Sequence, residues 1–138
     1  MVLHASKKQR GAAAVELAIL LPVVLLIIGG IVDFGRVFFT KIELTNAARE
    51  GARAAIVTGT PATGITARVT AAVPGIDPAR LSIVATPSCT AGATNDVTVS
   101  VTMPTFEWII LKPAMNMVRA GSNLPSSVAA KAVMRCGG

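Results

Sequence analysis

Residues 12–32 read AAAVELAILLPVVLLIIGGIV, a block of 21 residues whose one charge is Glu16. A helix needs about 20 apolar residues to cross the hydrocarbon core of a bilayer. From Leu17 to Val32 there is no charge at all, so the block reads as a membrane-spanning helix. Lys7, Lys8 and Arg10 stand directly before it. Basic residues flank membrane helices on the cytoplasmic side, which predicts an N-terminus inside and residues 34–138 outside.

The composition agrees with one anchored small domain. The chain has 138 residues, 52% apolar, 14% charged and 4% aromatic. A disordered chain would be richer in charge and poorer in Val, Ile and Leu. The net charge of +6 does not point to nucleic acid. The basic residues are scattered and form no patch interleaved with stacking aromatics.

Past the block the helix is expected to continue. Phe34, Val37, Phe38, Ile42 and Ala48 recur mostly at spacings of three and four, one stripe of an amphipathic helix. No proline occurs between 33 and 58, and Thr58-Gly59-Thr60-Pro61 is a stop. A helix from Ala12 to Val57 would be about 70 Å long at ~1.5 Å per residue. Pro22 and the pair Gly29-Gly30 are its soft points. Further on, Ala47, Gly51 and Ala55 fall every four residues, as do Ala48 and Ala52. Small residues at this spacing form a flat ridge that another helix or a sheet can approach closely. The partner is either another subunit or the chain's own domain.

Three readings fit the N-terminal segment. A secretory signal peptide would need a small-x-small cut after a shorter apolar stretch, and GGIVDFGRV offers no such site. A plain signal anchor accounts for everything except Glu16, which costs roughly 2–3 kcal/mol if it lies deep. A carboxylate snorkelling to the interface would lessen that cost. In the third reading, Arg10-Gly11-Ala12-Ala13-Ala14-Val15-Glu16 resembles the processing site of type IV prepilins. That resemblance implies cleavage after Gly11 by a prepilin peptidase, with Ala12 as the new N-terminus and Glu16 as its fifth residue. An α-amino cation and a carboxylate are each costly in lipid, and pairing them between neighbouring subunits offsets much of both costs.

The resemblance sharpens downstream. Glu16, Pro22, Asp33-Phe34-Gly35-Arg36 and Leu44 to Arg53 (LTNAAREGAR) together resemble the TadE-like family of minor pilins, or pseudopilins, of tight-adherence (Tad/Flp) pilus systems. The likeness covers about the first 58 residues. It implies a pilin-like α+β fold and a structural role in adhesion or secretion. The implied partners are the membrane, other pilin subunits and the assembly platform. The implied location is the bacterial inner membrane, with the outer domain in the periplasm and access to the cell surface within a pilus.

The remaining residues read as a small α+β domain. Ile65, Val69 and Val73 mark a short helix ended by Pro74-Gly75, and Asp77-Pro78 marks a turn. Leu81, Ile83 and Ala85 alternate as one strand face. Val97, Val99, Val101 and Met103 form a second, and Val128, Ala130, Ala132 and Met134 a third. A sheet of about three strands needs a partner such as the distal half of the long helix. Phe106, Trp108, Ile109, Ile110 and Leu111 form an apolar cluster between strands two and three, read as core in preference to an exposed contact surface.

Cys89 and Cys136 both continue the inward parity of their strands and are expected outside the membrane, where they would pair. A loop of about 48 residues closed this way contributes roughly 4 kcal/mol on the chain-entropy model. The expected organisation is a basic leader at 1–11, a membrane helix at 12–32, its extracytoplasmic continuation at 33–58 and the domain at 59–138.

Nothing in the pattern points to an enzyme, a metal, a cofactor or a small-molecule substrate. The one histidine, His4, lies in the leader, so no His-based triad can form outside the membrane. Asp77, Asp96 and Glu107 are isolated carboxylates near turns, and no phosphate-binding glycine loop occurs. The expected function is assembly or priming of a pilus as a minor pilin. Two alternatives remain: an uncleaved, membrane-anchored envelope protein whose outer domain is a binding module, and an accessory subunit of a secretion apparatus.

Overall fold

A computed structural model describes residues 7–120 and 123–137. The elements are α1 (Lys7–Ala55), α2 (Ala62–Ala71), a 3-10 turn (Pro78–Arg80), β1 (Ser82–Ala85), β2 (Asp96–Met103), α3 (Leu111–Met117) and β3 (Val128–Arg135). The fold is α+β, with a long N-terminal helix and a three-stranded antiparallel sheet in the order β1-β2-β3. The chain divides into two compact units. One comprises Met1–Gly35 and Trp108–Ser122, the other Arg36–Glu107 and Asn123–Gly138. His4 and the other residues before Lys7 lie outside the described residues.

The second unit is built on the distal part of α1. One face of that helix, Leu44, Ala47, Ala48, Gly51, Ala52 and Ala55, is buried against the sheet and α2. Alternation along β2 puts Val97, Val99, Val101 and Met103 on the covered face. Register lines up the inward rows: Val101 lies between Ile83 and Ala130, and Val99 between Ala85 and Ala132. Ile65 and Val69 of α2, followed by Val73, close the core. Thr60-Pro61 separates the two helices, and Gly59 takes a positive φ of 79° in the turn that an L side chain would resist. The Lys41 ammonium donates to the Ala129 carbonyl, joining α1 to β3.

The stripe predicted for the amphipathic continuation is corrected here. Of Phe34, Val37, Phe38, Ile42 and Ala48, Ala48 is buried and Val37 half-buried. Phe34, Phe38 and Ile42 are 48%, 66% and 60% exposed. At 3.6 residues per turn, Phe38 and Ile42 fall on the side of the helix away from Gly51. A helix buries one face against a sheet. The small-residue row won because it lets the backbone come closest, where large side chains would hold it off.

The cluster at 106–111 is divided. Phe106 and Trp108 are buried, whereas Ile109 is 60% exposed and Ile110 37%. Leu111 opens α3, a helix that the sequence reading did not anticipate.

Candidate functional site

The first unit holds the apolar part of α1 and the segment Trp108–Ser122. Among the described residues, one helix is long and apolar enough to cross a membrane, and it contains residues 11–55. From Gly11 to Ile28 every residue is exposed, Glu16 included, so the apolar surface lies bare on all sides of the helix. Gly11 and Ala12, the expected processing pair, are both exposed and helical. Leu17 to Ile28 project outward around Pro22 without a break in the helix. Glu16 sits on this surface as a carboxylate that can accept a hydrogen bond or pair with an amine.

Gly29 is the exception. It is buried, and a Cβ placed there would lie 2.3 Å from Ile110 Cγ2. The absent side chain is what lets Ile110 seat against the helix. One turn further on, Asp33 is fully buried. Its carboxylate accepts three backbone N–H bonds, from Ile109 at 3.2 Å, Ile110 at 2.9 Å and Leu111 at 2.8 Å. Leu111 opens α3 and Ile110 is its N-cap, so two of these donors belong to a helix start that cannot satisfy them internally, and the Ile110 side chain has no oxygen to offer. Asp33 therefore caps α3 from another helix. Beside it, Phe34 meets Trp108 edge to face at a centroid separation of 5.5 Å. The far end of α3 closes on itself. Ala120 N–H bonds to the Met115 carbonyl and Arg119 N–H to that of Asn116, with Arg119 at φ 53°.

The second unit uses the next motif residue in a related way. Arg36 donates to the Glu107 carbonyl at 3.1 Å and lies over the Phe106 ring at 5.4 Å. Asp33, Phe34 and Arg36 of the motif thus each contact a neighbour between 106 and 111 within their own units. The sequence reading placed Asp33 in a motif but assigned it no function. One signal was available in the sequence: a carboxylate directly after the apolar block.

The ridge Ala47, Ala48, Gly51, Ala52 and Ala55 faces the interior of its own unit. A Cβ at Gly51 would approach Val69 Cγ2 to 2.5 Å and Val99 Cγ1 to 3.0 Å. Of the two partners weighed for it, the structure puts the chain's own sheet and α2 there. Cys89 and Cys136 are bonded to each other, both buried, with Cα atoms 5.7 Å apart. The backbone N–H of Cys89 donates to the Ala55 carbonyl at 3.0 Å, so the disulfide is tied to the end of α1.

Asp77, Asp96 and Glu107 are exposed, and Asp77 caps the 3-10 turn by accepting from Ala79 N–H at 2.9 Å. A cleft of about 350 Å³ is lined by Glu50, Arg53, Thr60 and Arg68 among others, and Glu50 pairs with Arg53 at 3.6 Å. Among the described residues no group of three or more His, Cys, Asp or Glu side chains is placed to hold a metal ion.

A family model described as TadE-like protein matches residues 11–53. No curated protein and no solved structure matches the chain. The matched residues contain Gly11, Glu16, the Asp33 cap and most of the small-residue ridge.

Proposed function

We propose, from the premise that residues 11–53 are a TadE-like segment, that this chain is a minor pilin, or pseudopilin, of a tight-adherence pilus. The observation that carries the reading is Glu16. It is an exposed carboxylate on an otherwise apolar helix surface, five residues after Gly11 within the matched segment. The helix anchors the chain in the bacterial inner membrane, and the sheet-bearing part stands in the periplasm. A prepilin peptidase cuts after Gly11, which makes Ala12 the N-terminus. The Ala12 amine of one subunit then pairs with the Glu16 carboxylate of a neighbour. Each group offsets the other's cost of leaving water, so the pair sets the axial register of adjacent helices. The disulfide suits an oxidising compartment. Partners in this reading are other pilin subunits and the assembly platform, with adhesion or secretion as the output.

N-terminal sequencing and the intact mass of the protein from its own membrane fraction test this. A start at Ala12 is the expected result. A start at Met1 or Val2 would instead favour the uncleaved, anchored envelope protein with a binding domain. A start beyond Val32 would mean a cleaved signal peptide and a released domain.

A further inference from the structure

Residues 108–118 hold more exposed apolar surface than their place on α1 requires. Ile109 is 60% exposed, Met117 87% and Val118 74%. Within and beside α3, Ile110, Ala114, Met117 and Val118 share one side by helical spacing, Lys112 and Asn116 fall on the other, and Ile109, just before the helix, lies at the edge between them. Single exposed apolar residues need no explanation, but a one-sided set on a helix points to a surface that covers it.

The depth of this segment identifies that surface. Ile110 is seated on Gly29, the buried residue inside the apolar block that ends at Val32. Three residues of helix separate Gly29 from Val32, about 5 Å at ~1.5 Å per residue. Amphipathic helices that lie in a membrane interface bury their apolar face roughly 5–10 Å into the headgroup and acyl boundary. The Asp33 cap holds the start of α3 at this same level, through the bonds to Ile109, Ile110 and Leu111. Lys112 and Arg119 are exposed on the opposite side of α3, where their long stems can carry the cations out to the headgroups.

We propose that residues 108–118 are a second bilayer contact, an interfacial element clipped to the spanning helix at Gly29 and Asp33. The partner is the lipid surface that already surrounds α1, so the proposal rests on the membrane-anchor reading above. Its consequence is rotational. A single helix can spin and tilt freely in a bilayer, whereas a helix with a lateral foot presents one chosen side to its neighbours.

Trp108 is the one tryptophan in the chain and adjoins Ile109, so its emission reports on this segment. The full-length protein is reconstituted into vesicles of phosphatidylcholine and phosphatidylglycerol, with and without acyl-brominated phosphatidylcholine. The expected result is loss of Trp108 emission in brominated vesicles. That loss should shrink when Ile109→Asn, Met117→Asn and Val118→Asn are combined, all at exposed positions that leave the Asp33 bonds in place. A protein carrying Leu25→Trp and Trp108→Phe reports separately on the spanning helix. Quenching of that probe without quenching of Trp108 would overturn the interfacial contact and leave the anchor standing. Equal quenching of Trp108 with and without the three Asn substitutions would also overturn it, because proximity alone would then account for the signal. Absence of quenching in both proteins would overturn the anchor and this proposal with it.

Discussion

The Asp33 carboxylate accepts the Leu111 N–H at 2.8 Å, joining residues 78 apart in sequence. Through this bond and its two companions, a carboxylate at the end of the apolar block organises the start of α3. Asp33→Ala should leave these backbone donors without their acceptor, at a cost of about 1–3 kcal/mol for each one that stays buried. Asp33→Asn, whose amide oxygen still accepts, should lose less. Hydrogen exchange resolved by mass spectrometry checks this, with faster exchange confined to residues 108–120 as the expected outcome.

Gly51 and Gly35 should respond oppositely to alanine. Each change relieves a mid-helix glycine of roughly 0.5–1 kcal/mol. At Gly35 a Cβ meets nothing within 4 Å, so Gly35→Ala should stabilise. At Gly51 the Cβ lies 2.5 Å from Val69 Cγ2, and overpacking of about 1–3 kcal/mol outweighs the helix gain. Thermal melts followed by circular dichroism should place the two variants on either side of the parent.

Loss of the Cys89–Cys136 bond should weaken the second unit. It closes a sequence separation of 47, for which the chain-entropy model gives roughly 4 kcal/mol. Cys136→Ser is expected to lower the melting temperature and to speed protease cleavage near the sheet. A thiol reagent should label neither cysteine before reduction and both after it. Labelling of both in the unreduced protein would contradict the bond.

Arg36→Ala removes a hydrogen bond to the Glu107 carbonyl and a cation over the Phe106 ring. Such a cation–π contact contributes about 0.5–1 kcal/mol at an exposed site, so the loss should be modest. Arg36→Lys should recover part of it, since an ammonium cannot reproduce the guanidinium geometry. Urea unfolding of the two variants would rank them.

Glu16→Ala should separate insertion from assembly. Removing the carboxylate eases insertion by up to roughly 2–3 kcal/mol, so the variant should fractionate with membranes. Sheared pilus yield should nonetheless fall, because the amine of the neighbouring subunit loses its partner. An undiminished yield would rule out a register role for Glu16.

Much of this architecture was readable because it is local. A run of 21 residues with one charge defines an apolar helix wherever it sits, and Thr58-Gly59-Thr60-Pro61 stops α1 within a few residues of Ala55. Alternation in β2 and β3 assigned the inward side chains, because a strand's period of two leaves only two choices of face. The same parity carried Cys136, directly after β3, to the covered side, whereas Cys89 lies in the loop four residues past β1 and reaches it by the course of that loop.

Other features depended on partners far along the chain. Two rows of α1, one large and apolar, the other small, both repeat at helical spacing, and periodicity alone does not rank them. The sheet did, by admitting only the row that brings the backbones close, with Gly51 against Val69 and Val99. Asp33 is one carboxylate among several in the sequence, and its meaning lies in three N–H groups 76 to 78 residues away. α3 is too short to hold itself together and exists where Asp33 supplies its first hydrogen bonds. Sequence by itself determined α1, α2 and the three strands and which segment is apolar enough for a membrane, since these follow from nearest neighbours. Tertiary structure alone decided which face is covered and which carboxylate is a cap, since these follow from what the chain brings together across a distance.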